Sequence, residues 1–182
     1  MVVIKLGGSL AQAGTLLQCL DNIEQRYRNT STVIVPGGGS FADQVRLAQQ
    51  RWQFSDKIAH HMAILAMQQM ALLFKGLKNE FSIVSSLIDI QKHGQNIMIW
   101  SPDIVELNHA SIFASWDITS DSLSAWLAQQ LSASELILIK SADIDPALSL
   151  SELASSHIVD KAFGLFTENA AFKITLIHAH QF

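Results

Sequence analysis

Six short runs along the chain are apolar almost throughout instead of alternating: VVIKL (2–6), TVIVP (32–36), FSIVS (81–85), NIMIW (96–100), ELILIKS (135–141) and FKITLIH (172–178). A strand that is apolar on both faces must be covered on both faces. The stretches between these runs carry the cover. Leu16, Leu17, Leu20, Ile23 and Tyr27 recur at helical spacing, and SFADQVRLAQQ reads as a helix with Phe41, Val45, Leu47 and Ala48 turned inward. Ser55 to about Leu77 reads as one long helix with Ser55 as N-cap and Asp56 in its first turn. SPDIVELNH reads as a short helix capped by Ser101 with Pro102 at its first position, and ITSDSLSAWLAQQL as another helix. Strands alternating with helices in this way predict an α/β protein, a mainly parallel sheet with helices on both sides.

Composition narrows the class. The 182 residues, 49% apolar and 15% charged, are expected to form one domain over 1–182 with a sizeable core, far from the disordered class. A net charge of −4 argues against a nucleic-acid binder, which shows a basic face. Cys19 is the only cysteine, so no intrachain disulfide forms. The longest apolar stretch, MAILAMQQMALLFKGL, is interrupted by Gln68 and Gln69 and carries Lys75, too short and polar to span a membrane. No basic segment leads into an apolar signal run, so a cytoplasmic protein is expected.

The first two strand runs end in glycine: Gly7-Gly8 followed by Ser9, and Gly37-Gly38-Gly39 followed by Ser40. Neither fits the P-loop or the GxGxxG spacing. In an open parallel sheet ligands bind outside the carboxyl ends of the strands, where both turns fall. Glycine lets the backbone approach a ligand, and a following helix N-terminus offers free N–H groups to an anion. Two such turns would grip one polyphosphate or two phosphates; the blander reading is two tight turns without a ligand. Lys5, two residues before its glycines, can place an ammonium on a phosphate at this edge, or as an edge lysine snorkel to solvent. Lys140 ends its strand in the same manner and is followed by Asp143 and Asp145. A lysine stabilises charge on a transferring phosphoryl group, and an acid can hold Mg2+ or orient a lysine. Asp117 and Asp121 lie at a helix start, where capping accounts for Asp117; Asp121 divides evenly between capping and a site at the sheet edge.

VVIKLGGSL, VIVPGGGSFAD and SWDITSDSLSAWLA resemble the amino acid kinase superfamily, in order and over most of the chain. That resemblance implies a three-layer αβα sandwich and an ATP- and Mg2+-dependent kinase of a carboxylate or phosphate. Within it, the stretch from Ser115 to Leu127 and IVDKAF are most similar to kinases of aminomethylfuran-methyl phosphate, which make a diphosphate precursor of methanofuran. The resemblance further implies that Lys5 contacts the transferring phosphoryl group, that Gly7, Gly8 and Ser9 receive ATP phosphates, and that Gly37, Gly38, Gly39 and Ser40 hold the acceptor. Asp121 would position the catalytic lysines, with Asp143 on the nucleotide side. Two features depart from the family pattern. KSADIDPA stands where a TDVDG-like run is usual, and no Gly-Gly-Met loop carries a second catalytic lysine, so the C-terminal nucleotide-binding part reads as shortened. Lys140 or Lys161 is left to supply that charge.

The histidines do not suggest a metal. His60 and His61 are adjacent and diverge around a helix, and His178 and His180 are only a pair, whereas a zinc site needs three or four ligands. His60 is either a core or surface histidine or a residue of the acceptor pocket. Three function classes follow: a phosphate-acceptor kinase, a superfamily kinase of another acceptor (a nucleoside monophosphate or an amino-acid carboxylate, with Arg46 or Arg51 to meet it), and a non-catalytic phospholigand binder. The partner in each is a small phosphate-bearing molecule. Nucleic acid and membrane are not expected, and a homodimer or higher homo-oligomer is compatible with each class.

Overall fold

The computed structural model describes residues 1–182. Its elements in the first half are β1 (Val2–Leu6), α1 (Ser9–Gln12), α2 (Leu16–Tyr27), β2 (Thr32–Pro36), α3 (Gly39–Trp52), α4 (Asp56–Leu77), β3 (Ser82–Val84) and α5 (Leu87–Lys92). The second half adds β4 (Ile97–Trp100), α6 (Ile104–His109), α7 (Ser120–Gln130), β5 (Glu135–Lys140), α8 (Leu150–Ser155), α9 (Phe163–Thr167) and β6 (Lys173–His178), closing on a 3-10 turn at Ala179–Gln181. The six strands form one sheet in the order β3-β4-β2-β1-β5-β6, and every pairing is parallel. The α/β architecture expected from the apolar strand runs is therefore present.

Side chains on a strand alternate between the two faces of the sheet, and that period sorts the core. Ile4, Leu6, Ile34, Ile137 and Ile139 pack on one side with Leu16, Cys19, Leu20 and Ile23 of α2. Val3, Val33, Val35, Leu136 and Leu138 pack on the other with Leu123, Trp126 and Leu127 of α7. Lys5 and Lys140 continue the second set, since they follow Val3 and Leu138 by two residues. The register pairs Lys5 with Leu138, so Lys140 lies one step along the same face of the neighbouring strand.

Three local expectations need correction. Helix α6 starts at Ile104 and is capped by Asp103, whose carboxylate accepts from the Val105 N–H at 2.8 Å. Ser101 cannot cap it because its own N–H still extends the sheet edge, donating to the Val84 carbonyl at 2.8 Å. In α3, Val45 is buried, but Phe41 and Leu47 are exposed. The start of the helix approaches α4 through small residues instead: a Cβ on Gly38 would stand 3.6 Å from the Ala66 Cβ of α4. Ser55 occupies the N-cap position of α4, yet its side chain makes no capping bond; only its carbonyl accepts, from Ile58 and Ala59.

Candidate active site

Three charged side chains meet at the carboxyl ends of β1 and β5, and all three are nine-tenths buried or more. The Lys140 ammonium donates to both carboxylate oxygens of Asp121 at 2.8 Å, and the Lys5 ammonium lies 2.9 Å from one of them. Strand periodicity delivers the lysines to one face, and α7 lies across that face with Asp121 in its first turn. A buried charge persists only when paired, and here two cations share the Asp121 carboxylate directly, with Asp160 as a second, more distant anion acting on Lys140. Burial raises the Asp121 carboxyl, but the two lysines outweigh it and hold its pKa at about 2. Burial and then Lys5 push the Lys140 ammonium down to about 8, against the pull of Asp121. This is the kind of perturbation that marks functional sites.

Asp160 organises the same helix start from a distant part of the chain. Its carboxylate accepts from the Thr119 N–H at 2.8 Å, the Thr119 hydroxyl at 2.9 Å, the Ser122 N–H at 3.0 Å and the Ser122 hydroxyl. Thr119 makes no capping bond with its own side chain, so Asp160 satisfies the free Ser122 N–H in the first turn of α7 in its place. The Asp160 N–H in turn donates to Asp121 at 3.2 Å. Asp121 is thereby held by two lysines and a backbone amide.

The two glycine turns press against each other. A Cβ on Gly8 would stand 2.2 Å from the Gly39 nitrogen, and one on Gly37 would stand 2.5 Å from the Gly8 nitrogen. Gly39 also has a positive φ of 54°. These glycines are therefore required for backbone packing, whatever they bind. Above them lies a cavity of about 210 Å3 lined by Gly8, Ser9, Gly37, Gly38 and Gly39, by Asp43 and Arg46 of α3, by His60 and Met67 of α4, and by Trp116 and Thr119. A second, more polar cavity of about 400 Å3 is lined by Asp121, Lys140, Asp160, Asp117 and Lys161. Arg46, Trp116 and Thr119 border both. The Arg46 guanidinium stacks 3.9 Å over the Trp116 ring, whose indole N–H donates to the Gln49 side-chain oxygen at 2.6 Å.

The structure thus brings Lys5, Asp121 and Lys140 into contact, and places Gly8, Ser9 and Gly37 to Gly39 on one cavity wall. Gly7 is buried and lines neither cavity; the Lys5 ammonium sits 3.8 Å from where its Cβ would be. The Ser9 hydroxyl is hydrogen-bonded to that of Ser141 at 2.7 Å. Ser40 is exposed and borders neither cavity. Asp143 is fully exposed, 4.0 Å from the His178 ring, and stands apart from the lysine cluster. Lys161 pairs with Asp117 at 3.2 Å on the exposed rim of the second cavity. Helix α1 is a single turn, so the first glycine turn is backed by little helix dipole and presents mainly its backbone amides. Sequence reasoning missed Asp160 as a site residue. It lies in IVDKAF beside Lys161, and no local pattern distinguishes a carboxylate that caps a helix 38 residues away. No cluster of three or more His, Cys, Asp or Glu side chains is arranged to hold a metal ion, and no helix is long and apolar enough to cross a membrane.

Comparison with known proteins identifies the family and the fold. A model described as the amino acid kinase family matches residues 1–144. Over 146 residues, 79% of this chain and 67% of the relative, the sequence is 32% identical to the [5-(aminomethyl)furan-3-yl]methyl phosphate kinase of Methanocaldococcus jannaschii. Uridylate kinase from Archaeoglobus fulgidus superposes with a TM-score of 0.74 at 16% identity, covering 97% of this chain and 90% of that one. UMP kinase from Bacillus anthracis gives 0.66 at 14% identity over 98% and 87%. Aspartate kinase from Synechocystis gives 0.65 at 16% identity, over 99% of this chain and 38% of the larger one.

Proposed function

Because this chain belongs to the amino acid kinase family and is a phosphotransferase, we propose that it transfers the γ-phosphoryl group of ATP to a phosphate monoester, an aminomethylfuran-methyl phosphate, to give a diphosphate. The observation that carries this reading is the buried Lys5–Asp121–Lys140 cluster, two ammonium groups fixed on one carboxylate, beside a cavity floored by two glycine turns. The acceptor is drawn from the relative that is 32% identical to this chain over 146 residues.

In this reading the Gly37 to Gly39 side of the glycine-lined cavity takes the acceptor, the Gly8–Ser9 side of it meets the γ-phosphate end of ATP, and the polar cavity at Lys140 takes the rest of the triphosphate. An oxygen of the acceptor phosphate forms a bond to the γ-phosphorus while the bond to the β,γ-bridging oxygen breaks, and the electron pair leaves with ADP. The acceptor oxygen is already anionic, so no general base is needed. Catalysis rests on alignment and on charge neutralisation by Lys5 and Lys140. Asp121 fixes both ammonium groups at one point, and Asp160 fixes Asp121. The carboxylates of the chain form no metal cage, so Mg2+ belongs with the triphosphate of the substrate. Residues 1–182 act as one catalytic domain in this reading, with Lys140 in place of the missing second-lysine loop, and the cytoplasm is the compartment proposed for it.

An ADP-release assay with MgATP and a panel of acceptors tests this. Turnover is expected with the furan-methyl phosphate at least tenfold above UMP and above aspartate. Turnover confined to UMP or to aspartate would refute the acceptor assignment.

A further inference from the structure

Helix α4 brings one polar side chain to the acceptor cavity without a partner. His60 is 6% exposed, borders the cavity beside Gly38 and Met67, and its Nε2 has no hydrogen-bond partner. His61, next in sequence, is exposed and borders neither cavity. A buried ring nitrogen left unpaired is costly, and in a native protein such a group asks for an unseen partner. The ring is neutral at ordinary pH: burial lowers its pKa, the neighbouring His61 adds to that, and a hydrogen bond with the Ser115 backbone opposes it. A neutral imidazole has one N–H and one lone pair; we assign the N–H to the nitrogen facing the Ser115 backbone, whose influence favours the charged ring, and the lone pair to the unpartnered Nε2. A lone pair at this position seeks a donor and repels a phosphate oxygen.

We infer that His60 Nε2 reads the non-phosphate end of the acceptor by accepting a hydrogen bond from it, which for an aminomethylfuran-methyl phosphate is a bond from the ammonium group. The inference rests on the acceptor reading above and extends it to a named specificity residue. The charges of the cavity wall agree. It carries one guanidinium, Arg46, and one carboxylate, Asp43, which suits an acceptor bearing both a phosphate and an ammonium. Asp43, on the first turns of α3, is the counter-charge for that ammonium, and His60 is the buried group that tests for its N–H.

Calorimetry with [5-(aminomethyl)furan-3-yl]methyl phosphate and its 5-methyl counterpart, which lacks the amine, decides the matter without turnover. The wild type is expected to bind the amine-bearing phosphate at least tenfold more tightly, and His60→Phe to reduce that preference to threefold or less with ATP affinity unchanged. His60→Gln, whose amide oxygen can still accept, is expected to retain part of the preference. If the wild type shows no preference, or His60→Phe keeps it, the inference is wrong. Should His60→Phe fail to fold, the 15N resonance of Nε2 in the wild type serves: it must move with the amine-bearing ligand and not with the methyl one, and equal shifts overturn the proposal. Amine preference that depends on His60 in a protein that transfers no phosphoryl group would sink the kinase reading and leave this one standing. Turnover with a preference that ignores His60 would do the reverse.

Discussion

Replacing Lys140 with methionine separates the catalytic role of the second lysine from its structural one. In the wild type its ammonium makes two charge-assisted bonds of 2.8 Å to Asp121 in a nearly dry environment. Breaking a buried ion pair outright costs about 3–5 kcal/mol because the surviving charge is stranded. Here Asp121 keeps Lys5 at 2.9 Å and the Asp160 amide at 3.2 Å, and methionine refills most of the volume. The expected loss of stability is therefore smaller, about 1–2 kcal/mol, or roughly 3–6 °C in Tm for a chain of this size. The catalytic loss is expected to be larger. Removing a preorganised charge from a transferring phosphoryl group lowers kcat/KM on the order of 10²–10³-fold. The pH profile adds an independent signature. Lys140 loses its proton near pH 8 in the free enzyme, so wild-type kcat/KM should fall as pH rises through about 8, and this alkaline limb should vanish in Lys140→Met. Steady-state kinetics across pH 6–10, with thermal melts as the control, give both readouts. A variant with kcat/KM within threefold of wild type and an unchanged alkaline limb would remove Lys140 from the mechanism.

Lys5→Ala should lower turnover on the order of 10²–10³-fold with the fold retained, measured by ADP release and circular dichroism; wild-type turnover would contradict the assignment. Asp121→Asn leaves two buried ammonium groups with only the more distant Asp160 as counter-charge, and is expected to cost about 3–5 kcal/mol in chemical denaturation as well as abolishing activity. Because the folded-state pKa of Asp121 is depressed to about 2, its contribution to wild-type stability is fully present above about pH 4 and is lost as pH falls toward 2; denaturation midpoints between pH 5 and 2 should show this slope, absent in Asp121→Asn. Gly37→Ala would place a Cβ 2.5 Å from the Gly8 backbone, which cannot yield cheaply, so a loss of about 1–3 kcal/mol is expected. Gly76→Ala, with nothing within 4 Å on α4, should stabilise by about 0.5–1 kcal/mol, and equal effects of the two substitutions would refute the packing argument.

Apolar strands alternating with helices carried most of the architecture, because period-two burial is a local property. The same period put Lys5 behind Val3 and Lys140 behind Leu138, so the orientation of both lysines was readable in the sequence. Asp121 was not decidable on its own residues. Its role depends on α7 lying across β1 and β5, and only the tertiary arrangement sets that. Asp160 was invisible for the same reason, as all four groups it accepts from lie about 40 residues earlier. The glycines showed the opposite difficulty. They were conspicuous, but read as room for a ligand, whereas Gly8, Gly37 and Gly39 are also demanded by the contact of one turn with the other. Phe41 and Leu47 were placed inward by helical spacing and lie outside because α3 meets α4 through glycine and alanine. His60 was left between core and pocket, since a sequence cannot show that one ring nitrogen lacks a partner.

The destination of the γ-phosphoryl group decides between a kinase of this acceptor and every other reading. Phosphorus NMR of the protein incubated with MgATP and [5-(aminomethyl)furan-3-yl]methyl phosphate follows it directly. The monoester signal is expected to be replaced by the two coupled signals of a diphosphate as ADP accumulates, and Lys5→Ala to suppress both changes. Inorganic phosphate appearing with ADP while the monoester signal persists, or no change in any signal, would contradict transfer to this acceptor.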